Sequence, residues 1–197
     1  MSKPKIGVIL GSTREGRFGD KPAKWILDLG KNRPDVDLEL IDLRDFPMPF
    51  FGEPGAPQHV GPAEEASAWR KTLARYDGFI FIVAEYNHAP TGVLKNAIDL
   101  ARVEWARKPV AYVGYGGVGG ARAVQQLKQI AIEQQMAPVK SAVHILFPDY
   151  MAVAKGTDLA SMDHINQAAV AMLDDLSWWT NALKSARENV ETVKAAA

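Results

Sequence analysis

The 197-residue chain carries 23 Lys plus Arg against 23 Asp plus Glu, so its formal net charge is zero; 47% of residues are hydrophobic and 23% charged, the mix of one globular domain, residues 1–197, large enough for a full core. The even charge argues against a general nucleic-acid or anionic-membrane surface, and the lack of cysteine excludes disulfides, thiolate nucleophiles and Cys-zinc sites. His59, His88, His144 and His164 lack ligand-like spacing for a metal, MSKPKIGVIL turns to Gly-Ser too soon for a signal segment, and no apolar run approaches the roughly 20 residues of a membrane span, so a cytoplasmic protein is expected.

In chain order, strand-like and helix-like stretches alternate. Residues 5–10 (KIGVIL) read as a buried strand, and 20–31 as a helix with Asp20 as N-cap and Pro22 in its first turn. Residues 37–43 (DLELIDL) alternate polar and apolar, as a strand near a sheet edge does. Residues 44–62, RDFPMPFFGEPGAPQHVGP, form a long loop, a feature often tied to function. A helix at 63–76 precedes DGFIFIVA at 77–84, the most apolar strand and therefore a central one. The helix at 91–105 places Leu94, Ala97, Ile98, Ala101 and Trp105 on one face. Next come a strand at 109–114, a helix at 119–135 and a strand at 139–147. The last helix starts near 163, with Ile165, Ala169, Met172, Leu176, Trp179 and Leu183 along one stripe; after Arg187 the tail is expected to fray.

Five strands separated by helices predict a parallel sheet covered on both faces. Crossovers are right-handed and ligands sit beyond the carboxyl ends of the strands. With strand order 2-1-3-4-5, the order reverses beside strand one, and the loops after strands one, three and four carry the site.

The first of these loops holds Gly11, Ser12, Thr13, Arg14, Gly16 and Arg17 ahead of a helix. Free N–H groups at a helix start attract anions, and charge-assisted bonds from Ser12, Thr13 and Arg14 to a phosphate would contribute about 1.5–3 kcal/mol each. Gly11 and Gly16 have P-loop spacing, but Arg17 and Phe18 stand where Lys and Ser or Thr would hold nucleotide and magnesium. A monophosphate fits best; the bland reading is a plain turn with surface arginines. After strand three come Glu85, Tyr86, Asn87 and His88, able to meet the edge and face of a heterocycle, unless Asn87 merely caps the next helix. Lys95, Asn96 and Asp99 read as solvated or helix-packing positions. After strand four, Gly114, Gly116 and Gly119 satisfy G-x-G-x-x-G, but not after the first strand and without the acidic residue a dinucleotide site needs. Those glycines suit a backbone lying against a flat ring, with Tyr115 beside it, or a tight turn. A phosphate at the first loop and a flat, polar-edged ring between the other two describe flavin mononucleotide (FMN).

With GSTREGRFG, EYNHAPTGVLKNAID and GYGGVGGARAV in that order, residues 5–183 resemble the NAD(P)H-dependent FMN reductases, a family that includes quinone, azo-dye and chromate reductases. The resemblance implies an α/β, flavodoxin-like three-layer sandwich around a five-stranded parallel sheet. It implies FMN held at its phosphate by Ser12, Arg14, Phe18 and Gly19, and at its ring by Glu85, Tyr86 and Asn87, largely through backbone, with Tyr115, Gly116 and Gly117 closing over the pyrimidine side. It implies a ping-pong cycle in which NADPH or NADH gives hydride to flavin N5 and a small acceptor (free flavin, quinone, azo compound or metal oxyanion) then takes the same face, with no catalytic acid, base or metal on the protein. His88 is the one candidate proton donor to a quinone, against a plainer role as a loop hydrogen-bonder. A homodimer or homotetramer is also implied, in which Phe50 of FPMPFF (46–51) and Trp105 would line the neighbour's substrate site; burial within one subunit is the competing reading. Ala84 and Gly114 stand where the family usually has Pro and Ser or Thr. The competing functions are a flavin electron carrier with no pyridine-nucleotide step and a flavin-free binding module.

Overall fold

Three apolar strands, Lys5–Leu10 (β1), Gly78–Ala84 (β3) and Pro109–Tyr115 (β4), form the middle of one parallel sheet, with Asp37–Asp42 (β2) at the edge beside β1. The structure is a computed structural model that describes residues 3–58 and 67–195, the side chains of 191–195 excepted. His59, the end of the long loop at 59–62 and the expected helix start at 63–66 lie outside the described residues. The helices are Asp20–Gly30 (α1), Ala68–Ala74 (α2), Gly92–Asp99 (α3), Ala121–Glu133 (α4), Phe147–Ala154 (α5) and Asp163–Ala195 (α6).

Strand order is β2-β1-β3-β4, with the fifth position shared by Ala137–Pro138 (β5) and Val143–Ile145 (β6), both parallel to β4. This is the flavodoxin-like sandwich in the expected order. The two-residue period of the strands builds both cores. Ile6, Val8, Ile80, Ile82, Ala111 and Val113 pack with Trp25 and Ile26 of α1 and Ile165, Ala169 and Met172 of α6. Ile9, Phe79, Phe81, Val110 and Tyr112 pack with Leu73 of α2, Ala97 and Ile98 of α3, and Leu127 of α4.

Four details differ from expectation. Asp20 is not an N-cap: Gly19 precedes the helix and Asp20 stands in its first turn, its carboxylate engaged by Arg17. The strand expected at 139–147 is interrupted because Ser141 gives its N–H and hydroxyl to Asp175 of α6, not to the ladder; its end, from Phe147, is α5. Helix α3 stops at Asp99, where the Trp105 indole N–H takes the Ile98 carbonyl at 3.0 Å. The buried stripe of α6 runs through Leu173 and Thr180, leaving Trp179 exposed. The helix itself runs from Asp163 through Ala195. Among the described residues no helix is long and apolar enough to cross a membrane, and no group of three or more His, Asp or Glu could hold a metal.

Candidate cofactor and active site

The loops after β1, β3 and β4 meet at the carboxyl rim of the sheet, around a cavity of about 350 Å³ lined by Arg14, Gly16, Arg17, Phe18, Ala84, Glu85, Tyr86, Tyr115, Gly116, Gly117, Phe147 and Tyr150. A larger hollow of about 620 Å³ runs between α1 and the edge strand β2. Its charges are already paired, Lys24 and Lys31 on Asp28 at 2.8 and 2.6 Å, Asp20 on Arg17 and Asp37 on Lys3, so it offers a ligand little; the three-loop cavity is the candidate site.

The first loop is braced from below. Gly11 donates its N–H to Ile82 O at 3.0 Å, and its carbonyl accepts the Thr91 hydroxyl. Thr91 also caps α3 by accepting from Leu94 N, the role considered for Asn87. Arg17 is buried: it donates to Ser12 O at 2.6 Å, to Asp42 with both arms, and to Asp20. The Arg17 bond holds the Asp42 carboxyl below the usual carboxylate range. Arg44 donates to the carbonyls of Thr13 and Arg14. Arg14 is left exposed, with no ion-pair partner among the described residues. The first N–H groups of α1 lack intrahelical acceptors by construction, so Phe18–Gly19 and Arg14 present donors of the kind a phosphate needs.

The second loop is a tight hairpin. Tyr86 and Ala89 exchange N–H···O bonds at 2.9 and 3.0 Å, and Asn87 and His88 between them have φ of 50° and 69°, the pattern of a type I′ turn. Tyr86 is 42% exposed and its hydroxyl lies 3.3 Å from Ser12 Oγ. The Glu85 carboxylate is committed to α4: it accepts from Arg122 Nε at 2.6 Å and from the N–H groups of Arg122 and Ala123. Burial pushes this carboxyl up, but the bonds from Arg122 and the helix start prevail and it lies below its ordinary range. Glu85 can therefore serve a ring only through its backbone.

The third loop brings Tyr115 to the cavity wall beside Gly116 and Gly117, with its ring turned toward the first loop. Its ring lies 5.1 Å from that of Phe18, and a Cβ on Gly19 would come 2.9 Å from its hydroxyl. Burial pushes the Tyr115 phenol up. Gly117 has open space around it, whereas a Cβ on Gly114 would meet Gly119 O at 2.6 Å. Of the G-x-G-x-x-G glycines, Gly116 lines the cavity whereas Gly114 meets a packing requirement.

Arg14, Phe18, Glu85, Tyr86, Tyr115, Gly116 and Gly117 share the cavity; Ser12, Gly19 and Asn87 stand beside it, Ser12 buried under Tyr86 and Asn87 exposed at the turn. His88 lies just outside, its Nε2 2.7 Å from Arg122 Nη1. Trp105 is a correction. It has no exposed surface and sits among Phe79, Phe81 and Trp69 in the core, so it can line no substrate site. Phe50 is 61% exposed, in a loop pinned by Asn96, which donates to Pro49 O at 3.0 Å and accepts from Phe51 N at 2.7 Å. Gly16 and Arg17 of the first loop also line it, and the lining residues not foreseen are Ala84, Phe147 and Tyr150. The last two come from α5 and extend the aromatic wall, Tyr150 lying 4.3 Å from Phe18. Pro148 and Asp149 in the first turn of α5 are the sequence signal that could have shown it.

Residues 4–147 match the family described as NADPH-dependent FMN reductase. An NAD(P)H-dependent FMN reductase of Schizosaccharomyces pombe is 39% identical over 145 residues, covering 71% of this chain and 72% of its own. One from Nectria is 36% identical over 185 residues, covering 88% and 87%. Among solved structures, a flavoenzyme NAD(P)H:(acceptor) oxidoreductase of Paracoccus denitrificans superposes with a TM-score of 0.64 at 24% identity, covering 88% of this chain and 97% of its own; at that identity it shows the fold.

Proposed function

The chain belongs to the NADPH-dependent FMN reductase family, and from that premise we propose that it is an FMN-dependent oxidoreductase passing reducing equivalents from NADPH or NADH to a small acceptor such as free flavin, a quinone, an azo compound or a metal oxyanion. One observation carries the reading: residues of all three switch-point loops bound a single cavity. Its donors suit FMN. Arg14 offers a guanidinium with no ion-pair partner among the described residues, Ser12 a hydroxyl and Phe18–Gly19 backbone N–H groups to the phosphate. Glu85, Tyr86 and Asn87 on one side, and Gly116–Gly117 on the other, offer backbone to the ring, with Gly117 leaving its surface clear. Bound FMN would supply hydride acceptance and onward electron transfer.

The protein's share is orientation and exclusion of water. Glu85 is tied to Arg122, and His88 faces the same arginine with Nε2. A guanidinium only donates, so in this reading His88 Nε2 accepts from Arg122 and the residue holds the turn. The aromatic wall of Phe18, Tyr150 and Phe147 shelters the side nearest the first loop. A homodimer or homotetramer belongs to this reading, because Phe50 and Phe51 stay 61% and 50% exposed on a pinned loop at the same rim; a clean monomer on gel filtration would remove it. A chain without cysteine suits the reducing cytoplasm.

The test is anaerobic stopped-flow mixing of the FMN-loaded protein with NADPH and, separately, NADH. Rapid bleaching of the flavin band is expected with at least one of them. A flavin that binds but stays oxidised with both would make the protein an electron carrier. A colourless protein with no affinity for added FMN would overturn both.

A further inference from the structure

We propose that Arg122 is a positioning residue for the flavin ring, acting through His88 and Glu85 to hold the turn at residues 86–89 at a fixed distance from the Gly116–Gly117 loop. The proposal rests on the flavin reading above. Arg122 lies in the first turn of α4, just after the third loop, and reaches back to the second. Its Nε donates to Glu85 Oε1 at 2.6 Å, its backbone N–H to Glu85 Oε2 at 3.0 Å, and its Nη1 to His88 Nε2 at 2.7 Å. One turn further on, Gln126 Nε2 donates to His88 O at 2.8 Å. Both walls of the ring slot are therefore fastened to a single helix face.

The turn needs such fastening. Asn87 and His88 are both in the left-handed region without being glycine, a conformation that persists only where neighbours over-determine it. Within the hairpin the backbone ties are the two Tyr86–Ala89 bonds; the Tyr86 hydroxyl meets Ser12 Oγ of the first loop, and His88 is tied by Arg122 and Gln126 of α4. In the Arg122–His88 contact the guanidinium donates and the imidazole Nε2 accepts. The fork geometry of arginine lets one side chain serve Glu85 and His88 at once; a lysine ammonium on a flexible stem has no such fixed fork.

The experiment is calorimetric titration of flavin-free protein with FMN and with riboflavin, which has the ring but no phosphate. Wild type is compared with His88→Ala, Arg122→Lys, the double variant and His88→Gln. His88→Ala leaves the Glu85–Arg122 pair and the α4 start intact, so it reports on the tether and not on folding. Both single variants should weaken FMN and riboflavin by a similar factor, about tenfold. The double variant should be no weaker than the worse single one, since both break the same tie. His88→Gln, whose amide oxygen can accept from Arg122, should recover most of the loss, which a merely structural role for the imidazole would not produce. Wild-type affinities in both single variants, additive losses in the double, or losses confined to FMN would overturn the proposal. If wild type binds neither flavin, the flavin reading fails and the proposal with it, an outcome visible before any variant is made.

Discussion

Arg17 and Asp42 join the first loop to the end of β2 through both arms of a guanidinium fork, with Nη1 2.7 Å from Oδ1 and Nη2 on Oδ2. In a nucleotide-binding P-loop the cation at this place would face the phosphate. Here it faces inward, also holds Ser12 O and Asp20, and fixes the loop that Arg14 then presents to solvent. The pair is mostly buried, so its bonds are worth more than those of an exposed ion pair.

Asp42→Asn should therefore lower stability by about 1–3 kcal/mol, because Arg17 keeps only Asp20 as a carboxylate partner. The Arg17 bond holds the Asp42 carboxyl below its ordinary range. A carboxyl with a depressed folded-state pKa contributes stability that is full above the unfolded value, about 3.9, and is lost as pH falls through the folded one. The wild-type advantage over Asp42→Asn should be constant at neutral pH and shrink under acid, as read by urea unfolding across pH. FMN affinity should fall several-fold with riboflavin affinity unchanged; an equal effect on both would move Arg17 from the phosphate loop to general stability.

The fold was legible where one residue pattern meets one physical demand. GFIFIVA can only be a strand buried on both faces, and β3 is that strand. The strand-order rule points to loops one, three and four, and the cavity lies where they meet. The features that escape a reading of the sequence depend on tertiary partners. Nothing local says that Ser141 will leave the ladder for Asp175, and an expected strand running on to Phe147 masks the start of α5 that Pro148 and Asp149 signal. Nor does the sequence show which way Tyr115 points. Trp105 resembled a candidate for the substrate site because aromatics near loops draw attention, yet its indole closes α3 inside the core. Arg14 and Arg17, three apart in one loop, look alike in sequence; only Asp42 tells them apart.

The aromatic wall makes a separate prediction. Tyr150 packs on Phe18 at 4.3 Å and nearly parallel to Phe147 at 6.4 Å, and an aromatic pair contributes about 0.5–1.5 kcal/mol beyond area burial. Tyr150→Ala should weaken both FMN and riboflavin by about three- to tenfold, measured by flavin fluorescence titration. Unchanged affinity for both would place the bound flavin away from α5.

Lys108 is buried, its ammonium donating to Leu73 O at 3.2 Å and lying 5.5 Å from the centre of the Phe79 ring. Burial, with nearby Arg187 adding to it, pushes its pKa down to about 8. Below that value the folded protein carries the cost of a buried charge. Between about 8 and the ordinary lysine value near 10.4 the unfolded chain binds more protons, and stability rises with pH. Lys108→Met should stabilise by on the order of 1–3 kcal/mol at neutral pH, and the gain should fade as pH approaches 10. A destabilised variant at pH 7 would mean that the Leu73 bond outweighs the buried charge.

Two aromatic residues proposed from sequence for one task should now part company. Trp105→Phe removes the bond to Ile98 O and leaves a gap in a fully packed cluster, so a loss of about 1–3 kcal/mol is expected, with the KM for any acceptor unchanged below the unfolding temperature. Phe50→Ala removes an exposed ring, so stability should stay within about 0.5 kcal/mol. If that ring covers a site in a second copy of the chain, the KM for a quinone acceptor should rise. Chemical denaturation and steady-state kinetics on the same two preparations decide the matter. A raised KM in Trp105→Phe at unchanged stability would contradict its burial, and unchanged kinetics in Phe50→Ala would take the loop at 46–51 out of the active site.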